Sequence, residues 1–97
     1  MDTVAWDYIM TNKPKGTVYV GCTVDLVKRV WEHKSKPVKS FTQRYNLDKL
    51  VWYEQHGSLD AARKKERQMK RWRKDWKFRL VEEMNSDWQD LFEQIAR

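Results

Sequence analysis

The chain has 97 residues, enough for one domain with one core and too short for two. Six Trp, four Tyr and three Phe supply large apolar areas and argue against global disorder, while the single Cys22 excludes an internal disulfide and a two-thiol metal site. The formal net charge of +6 and the sequence pI of about 9.6 favour polyanionic partners, nucleic acid ahead of an anionic membrane. A merely solvated cationic surface would carry the same charge, so composition leaves both readings open. No stretch is long and apolar enough to span a bilayer. Met1-Asp2-Thr3 lacks the basic start of a secretory signal. A cytoplasmic protein with neither a membrane partner nor a small-molecule cofactor is expected.

Val4–Thr11 and Thr17–Cys22 read as strands. Asn12-Lys13-Pro14-Lys15-Gly16 between them is a strong turn signal, so the two form a β-hairpin. Thr23 is placed to cap a helix from about Val24 to Lys34, with Pro37 just beyond its end. Ser35–Leu47 is a polar connection with a short helical turn expected around Phe41–Tyr45. Leu50–Glu54 reads as a third strand. Gly57-Ser58 opens a long helix from about Leu59 to Arg73, and a further helix runs from Asp75 or Trp76 to about Asn85. Ser86 is placed to cap a last helix, Asp87–Ala96. The expected fold is α+β: one domain over 1–97, order β-β-α-β-α-α-α, a small three-stranded mixed sheet with helices packed on it, and a helical part from about residue 58.

If Thr11 pairs with Gly16, Tyr8 lies opposite Tyr19 and Trp6 opposite Gly21, and these four share one face. Ala5, Ile9, Val18, Val20 and Cys22 line the other, a face suited to a core and interrupted by Asp7. Paired tyrosines are usually only a cross-strand aromatic contact. Tyr19-Val20-Gly21-Cys22-Thr23, however, runs straight into a helix. A glycine there lets a ligand approach the backbone, and the helix N-terminus offers free N–H groups to a phosphate.

On the first helix Leu26, Val27, Val30 and Trp31 form an apolar stripe, with Arg29 and His33 four apart along its edge. An arginine can grip a phosphate with its fork, and a histidine can relay a proton. In isolation, a surface arginine and a helix-capping histidine are the commoner explanation. From Arg63 to Arg79 the chain carries ten of its twenty Lys and Arg, interleaved with Trp72, Trp76 and Phe78. Such a mixture suits strand binding, with charge for phosphates and rings for bases; a solvated helix face with its Trp residues in the core is equally consistent. Glu66 shares the apolar side of that helix with Leu59, Ala62, Met69, Trp72 and Trp76. A carboxylate so placed needs a cationic partner or a metal, and a single hard carboxylate with waters suits Mg²⁺.

Together these residues resemble the GIY-YIG nuclease family, and most closely its small standalone bacterial members, which are related to the nuclease domain of the excision-repair nuclease. The hairpin motif is Trp6-Asp7-Tyr8, ten residues, then Tyr19-Val20-Gly21. Arg29 and His33 follow Gly21 by eight and twelve positions, Glu66 matches the family's metal-binding glutamate, and Asn85 matches the asparagine of the last motif. The resemblance implies metal-dependent endonuclease chemistry and a link to DNA repair. Tyr8 or Tyr19 would be the general base, Arg29 would stabilise charge on the phosphate, His33 would assist proton transfer, and Glu66 would hold one Mg²⁺ or Mn²⁺. Nucleic acid, DNA more than RNA, with single-stranded and branched forms as candidates, would lie on Gly21, Lys28, Arg63, Arg67, Lys70, Arg71, Arg73 and Lys74, with Asn85 as support. The first motif departs from the family in lacking both Gly and Ile, with Trp6 expected to cover Gly21 and Asp7 standing opposite Val20. Two alternatives stay open: a non-catalytic nucleic-acid-binding module on the same fold, and a protein-interaction domain whose C-terminal helices dock a partner through Trp88 and Phe92.

Overall fold

The computed structural model describes residues 4–35 and 45–97. The hairpin forms as the turn chemistry predicts, with β1 at Ala5–Thr11 and β2 at Val18–Thr23. Its register is two residues away from the expected one. Thr11 faces Val18, Tyr8 faces Gly21, Asp7 faces Cys22 and Trp6 faces Thr23. The turn's own side chains explain the slip. Asn12 Oδ1 accepts the Thr17 N–H at 3.1 Å, and the Thr11 hydroxyl donates to the Lys13 and Thr17 carbonyls at 2.8 and 2.9 Å. These bonds close a wider loop, so pairing begins at Val18 rather than Gly16. A slip of two preserves the alternation of faces, and Trp6, Tyr8, Tyr19 and Gly21 still share one side.

β3, Lys49–His56, pairs with the opposite edge of β1, giving the order β2-β1-β3 with a bulge at Ile9/Met10. The sheet is antiparallel throughout rather than mixed. The crossover through α1, Leu26–Ser35, makes β2 and β3 parallel to each other, but β1 lies between them, so no parallel ladder forms. The short helical turn expected around Phe41–Tyr45 falls at 41–44, outside the described residues, as does Pro37.

Both faces of the sheet are covered. On one side Ile9, Val20 and Trp52 pack with Met69 of α2 (Leu59–Arg71), Val81 of α3 (Lys74–Met84) and Trp88. On the other, Tyr8, Met10 and Leu50 pack with Leu26 and Val30 of α1, and with Leu91, Phe92 and Ile95 around the short α4 (Phe92–Ile95). Trp88 and Phe92 thus belong to the cores rather than to a docking face. Among the described residues no helix is long and apolar enough to cross a membrane.

The helix ends follow local chemistry. Asp25, not Thr23, caps α1, its Oδ1 accepting the Lys28 N–H at 3.1 Å, so the helix starts two residues later than expected. Ser58 caps α2 through the Ala61 N–H. The chain then extends at Trp72 and Arg73 and re-enters helix at Lys74. The expected helix Asp87–Ala96 shrinks to α4 because Asn85, rather than Ser86, organises that corner. The buried Asn85 amide donates to the Val51 carbonyl (3.2 Å) and the Gln89 carbonyl (2.7 Å), while its Oδ1 accepts the Gln89 N–H (3.0 Å). Trp88 takes a positive φ of 56°, which breaks helical continuation. Two further expectations are corrected: α1 buries Leu26, Val30 and His33, leaving Val27 and Trp31 exposed, and Trp76 is 47% exposed.

Asn85→Ala removes three hydrogen bonds to the backbone, one buried, to the Val51 carbonyl, and two part-buried, to the Gln89 backbone, each worth roughly 1 kcal/mol. A loss of about 2–4 kcal/mol in urea unfolding is expected. A change below about 0.5 kcal/mol, the scatter of ordinary surface substitutions, would contradict this role.

Candidate active site

Tyr8 is the centre of the site. It lies on the central strand, 1% exposed, with its ring folded over Gly21 on the neighbouring strand. A Cβ at Gly21 would stand 2.4 Å from both Cζ and Oη of Tyr8. The expected space for a ligand above this glycine is therefore filled by the Tyr8 ring, and Trp6 lies two pairs further along the strand, opposite Thr23.

Three side chains converge on this phenol. Tyr8 Oη is 2.9 Å from His33 Nε2 and accepts from Arg29 Nε at 3.4 Å. Tyr19 closes the cluster, its ring centroid 6.3 Å from Tyr8 and 5.6 Å from His33. The helical spacing seen in the sequence does the positioning: Leu26 and Val30 are buried against the sheet, which turns His33 inward as well. Arg29 sits at the margin, partly exposed, and also pairs with Glu32 at 3.3 Å.

Burial pushes the Tyr8 phenol well above the ordinary tyrosine range, although the Arg29 hydrogen bond pulls the other way. Burial, assisted by the Arg29 charge, lowers His33 to about 4. Both groups are therefore neutral at neutral pH. Arg29 can only donate, so the Tyr8 oxygen accepts from it, and a second hydrogen bond joins that oxygen to His33 Nε2. The result is a hydrogen-bonded chain of guanidinium, phenol and imidazole.

Glu66 approaches from α2, which packs across β1 and β2. Its side chain is 19% exposed and pairs with Lys70 at 3.5 Å. It lies between the buried side of the helix (Ala62, Met69) and the solvent-facing cations. Its negative charge reaches Tyr8 and contributes to raising that phenol. Lys70 bridges the two parts of the site, since its Nζ also stands 5.7 Å over the Tyr19 ring. Arg63, Arg67 and Arg71 are exposed on α2. Arg73 and Lys74 open α3, Arg73 pairing with Asp75 at 3.4 Å and Lys74 lying over Phe78. Lys28 is exposed on α1 beside Arg29. Asn85 is occupied with the C-terminal corner described above.

Asp7, which interrupted a core face in the sequence, is fully buried. Its partner is His56 at the end of β3, Nε2 to Oδ2 2.9 Å, and His56 also reaches Glu54 at 3.1 Å. These are ion-pair distances; among the described residues neither Asp7 oxygen completes an aligned hydrogen bond. Burial raises Asp7 to about 6, with His56 opposing and Glu66 reinforcing the shift. Sequence reasoning missed this pair because His56 lay past the expected end of the third strand. The signal was a buried-face carboxylate with one of only two histidines closing the neighbouring strand. Cys22, opposite Asp7, is raised to about 11 by burial and by that carboxylate, so it stays a thiol.

The fold and these contacts define a class: a small α+β domain with a tyrosine, histidine and arginine cluster built around a hairpin and one partly exposed carboxylate on the helix packed across it. A family model described as the GIY-YIG catalytic domain matches residues 5–79, and the chain belongs to that family, whose members are generally nucleases. No curated protein and no solved structure matches the chain significantly.

The state of His33 can be read directly. Its ring should titrate near pH 4 by NMR, against an ordinary value near 6.5. Because the native value is depressed, the unfolded chain binds the proton first; this group's contribution to stability falls as pH drops from about 6.5 towards 4. A midpoint above 6 would contradict the buried, neutral imidazole.

Proposed function

We propose that the protein is a divalent-metal-dependent endonuclease that hydrolyses phosphodiester bonds of nucleic acid, DNA in preference to RNA. The observation that carries this reading is the convergence of His33 Nε2 and Arg29 Nε on the Tyr8 oxygen, at 2.9 and 3.4 Å. A binding module has no use for a buried phenol aligned with a neutral imidazole.

In the proposed reaction a water attacks the phosphorus as Tyr8 Oη accepts its proton and the phenolic proton passes to His33 Nε2. The P–O bond to the leaving strand breaks on the opposite side. A phenol held this high keeps its proton at neutral pH and offers no phenolate, so the hand-over of that proton to His33 is what lets the Tyr8 oxygen take one from water. The negative phosphodiester arriving beside His33 favours the imidazolium that results. Arg29, exposed on its outer edge, is fixed on Tyr8 at its Nε and on Glu32 at its Nη1, which leaves Nη2 to donate to a phosphate oxygen. Tyr19, beside both Tyr8 and His33, walls the relay and holds its geometry.

Among the described residues no three His, Cys, Asp or Glu side chains converge as a metal cage. Glu66 alone is a hard oxygen donor, partly open, with Lys70 at 3.5 Å as its ion-pair partner. This donor set fits an ion such as Mg²⁺ or Mn²⁺ that keeps most of its water and takes one carboxylate plus substrate oxygens. Such an ion would supply charge stabilisation at the leaving oxygen. The cations of α2 and of the start of α3 would hold the flanking phosphates through a salt-dependent contact. A place in DNA repair accords with the family's excision-repair relatives and forms part of the proposal.

Labelled single-stranded, duplex and branched DNA, and RNA, incubated with Mg²⁺, Mn²⁺ or EDTA, test the proposal. Cutting should require the metal and fall by roughly 10²–10³ in both Glu66→Ala and Arg29→Ala, with affinity changed only a few-fold. Salt-sensitive binding with no cutting of any substrate would instead establish the non-catalytic module.

A further inference from the structure

The chain's extended turn at Trp72 and Arg73 has a consequence on the outer side of the helices. It carries Trp76 out of the core and stands it edge-to-face against Trp72, the ring centroids 6.1 Å apart and the planes 69° apart. The two rings, with Leu80, Arg79 and Glu83, line an open cavity of about 220 Å³. Trp76 is 47% exposed, unusual for so large an apolar ring on a helix that buries Val81 elsewhere. Cations frame the groove: the Arg73 guanidinium lies 5.6 Å over Trp76 and Lys65 lies 5.4 Å over Trp72.

We propose that this groove is a base-binding subsite, separate from the Tyr8 cluster, in which an unpaired nucleobase of the substrate strand stacks on Trp76. Three features favour a nucleobase over an apolar peptide. The groove lies within the segment that holds half of the chain's Lys and Arg, a setting for a polyanion. Its wall is the Trp76 indole, 47% exposed, an aromatic surface on which a base of any identity can stack. Its rim offers both a donor, Arg79, and an acceptor, Glu83, for the polar edge of a base. Cations lead from the groove to the chemistry. Lys70 stands over Tyr19, and Lys77, next to Trp76 in sequence, lies close enough to Lys70 to feel its charge.

The inference deepens the nuclease reading, on which it rests for the identity of the polymer, by naming the substrate class: strands with unpaired bases beside the cut. Duplex bases are stacked on each other and cannot enter. The test is binding in EDTA, where cutting plays no part. Fluorescence anisotropy would give the affinities of a labelled mixed-sequence single strand of twelve nucleotides and of its duplex, for wild type, Trp76→Ala and Trp76→Phe. Loss of one stacked base corresponds to about a tenfold change. Trp76→Ala should therefore weaken single-strand binding about tenfold and duplex binding less than twofold, at an unchanged salt slope and thermal midpoint. Trp76→Phe should recover most of the loss. Equal losses on single strand and duplex, or none on either, would overturn the subsite. Selective loss in a protein that never cuts would keep the subsite and overturn the nuclease; metal-dependent cutting with no selective loss would do the reverse. Binding to neither form of DNA would overturn both.

Discussion

The structure depends on one close approach, the Tyr8 ring seated over Gly21. Only a residue without a Cβ leaves room for the ring on the adjacent strand. The ring in turn puts its oxygen within reach of α1, where His33 and Arg29 meet it. Any side chain at position 21 would push the phenol away from both partners. The hairpin register, the packing of α1 and the contacts of His33 and Arg29 with Tyr8 are therefore aspects of a single steric fit.

Around that fit the protein places charge asymmetrically. Tyr8 and His33 are neutral at rest, because burial holds the proton on Tyr8 and keeps His33 uncharged. Net positive charge lies outside them on Arg29, Lys70 and the cations of α2, and the negative charge of Glu66 lies between. In the proposed reaction these surroundings would favour an anionic phosphodiester, whose charge would in turn favour protonation of His33. Asp7 and His56 show the same sheet tolerating a fully buried carboxylate by pairing it across β3, a costly arrangement on a strand whose neighbouring residue is the central tyrosine.

Much of this was legible in the sequence because its signals are periodic. Alternation along β1 and β2 grouped Trp6, Tyr8, Tyr19 and Gly21 correctly even though the register was off by two, since parity survives an even slip. The four-residue step from Arg29 to His33 and the position of Glu66 between Ala62 and Met69 survive for the same reason. What could not be read was set by side-chain bonds or by tertiary packing. Thr11 and Asn12 close the hairpin loop two residues wider than the turn signal suggests. Asn85 replaces the first turns of an expected helix with a hydrogen-bonded corner. The apolar stripe of α1 included Val27 and Trp31, because periodicity gives the direction of a buried face but not its width. The contact between Tyr8 and His33 joins residues 25 apart in sequence; family resemblance marked both residues, and only the packed structure brings them together.

The central claim is that the Tyr8 oxygen handles the proton, and Tyr8→Phe tests it most directly because it removes that oxygen and keeps the ring over Gly21. Single-turnover cutting with saturating metal, compared among wild type, Tyr8→Phe and Tyr19→Phe, separates the two tyrosines. The account predicts a fall of at least about a hundredfold for Tyr8→Phe, the scale of losing a general base, with a much smaller effect for Tyr19→Phe and unchanged DNA affinity in both. Wild-type cutting by Tyr8→Phe, or the full loss appearing only in Tyr19→Phe, would contradict it.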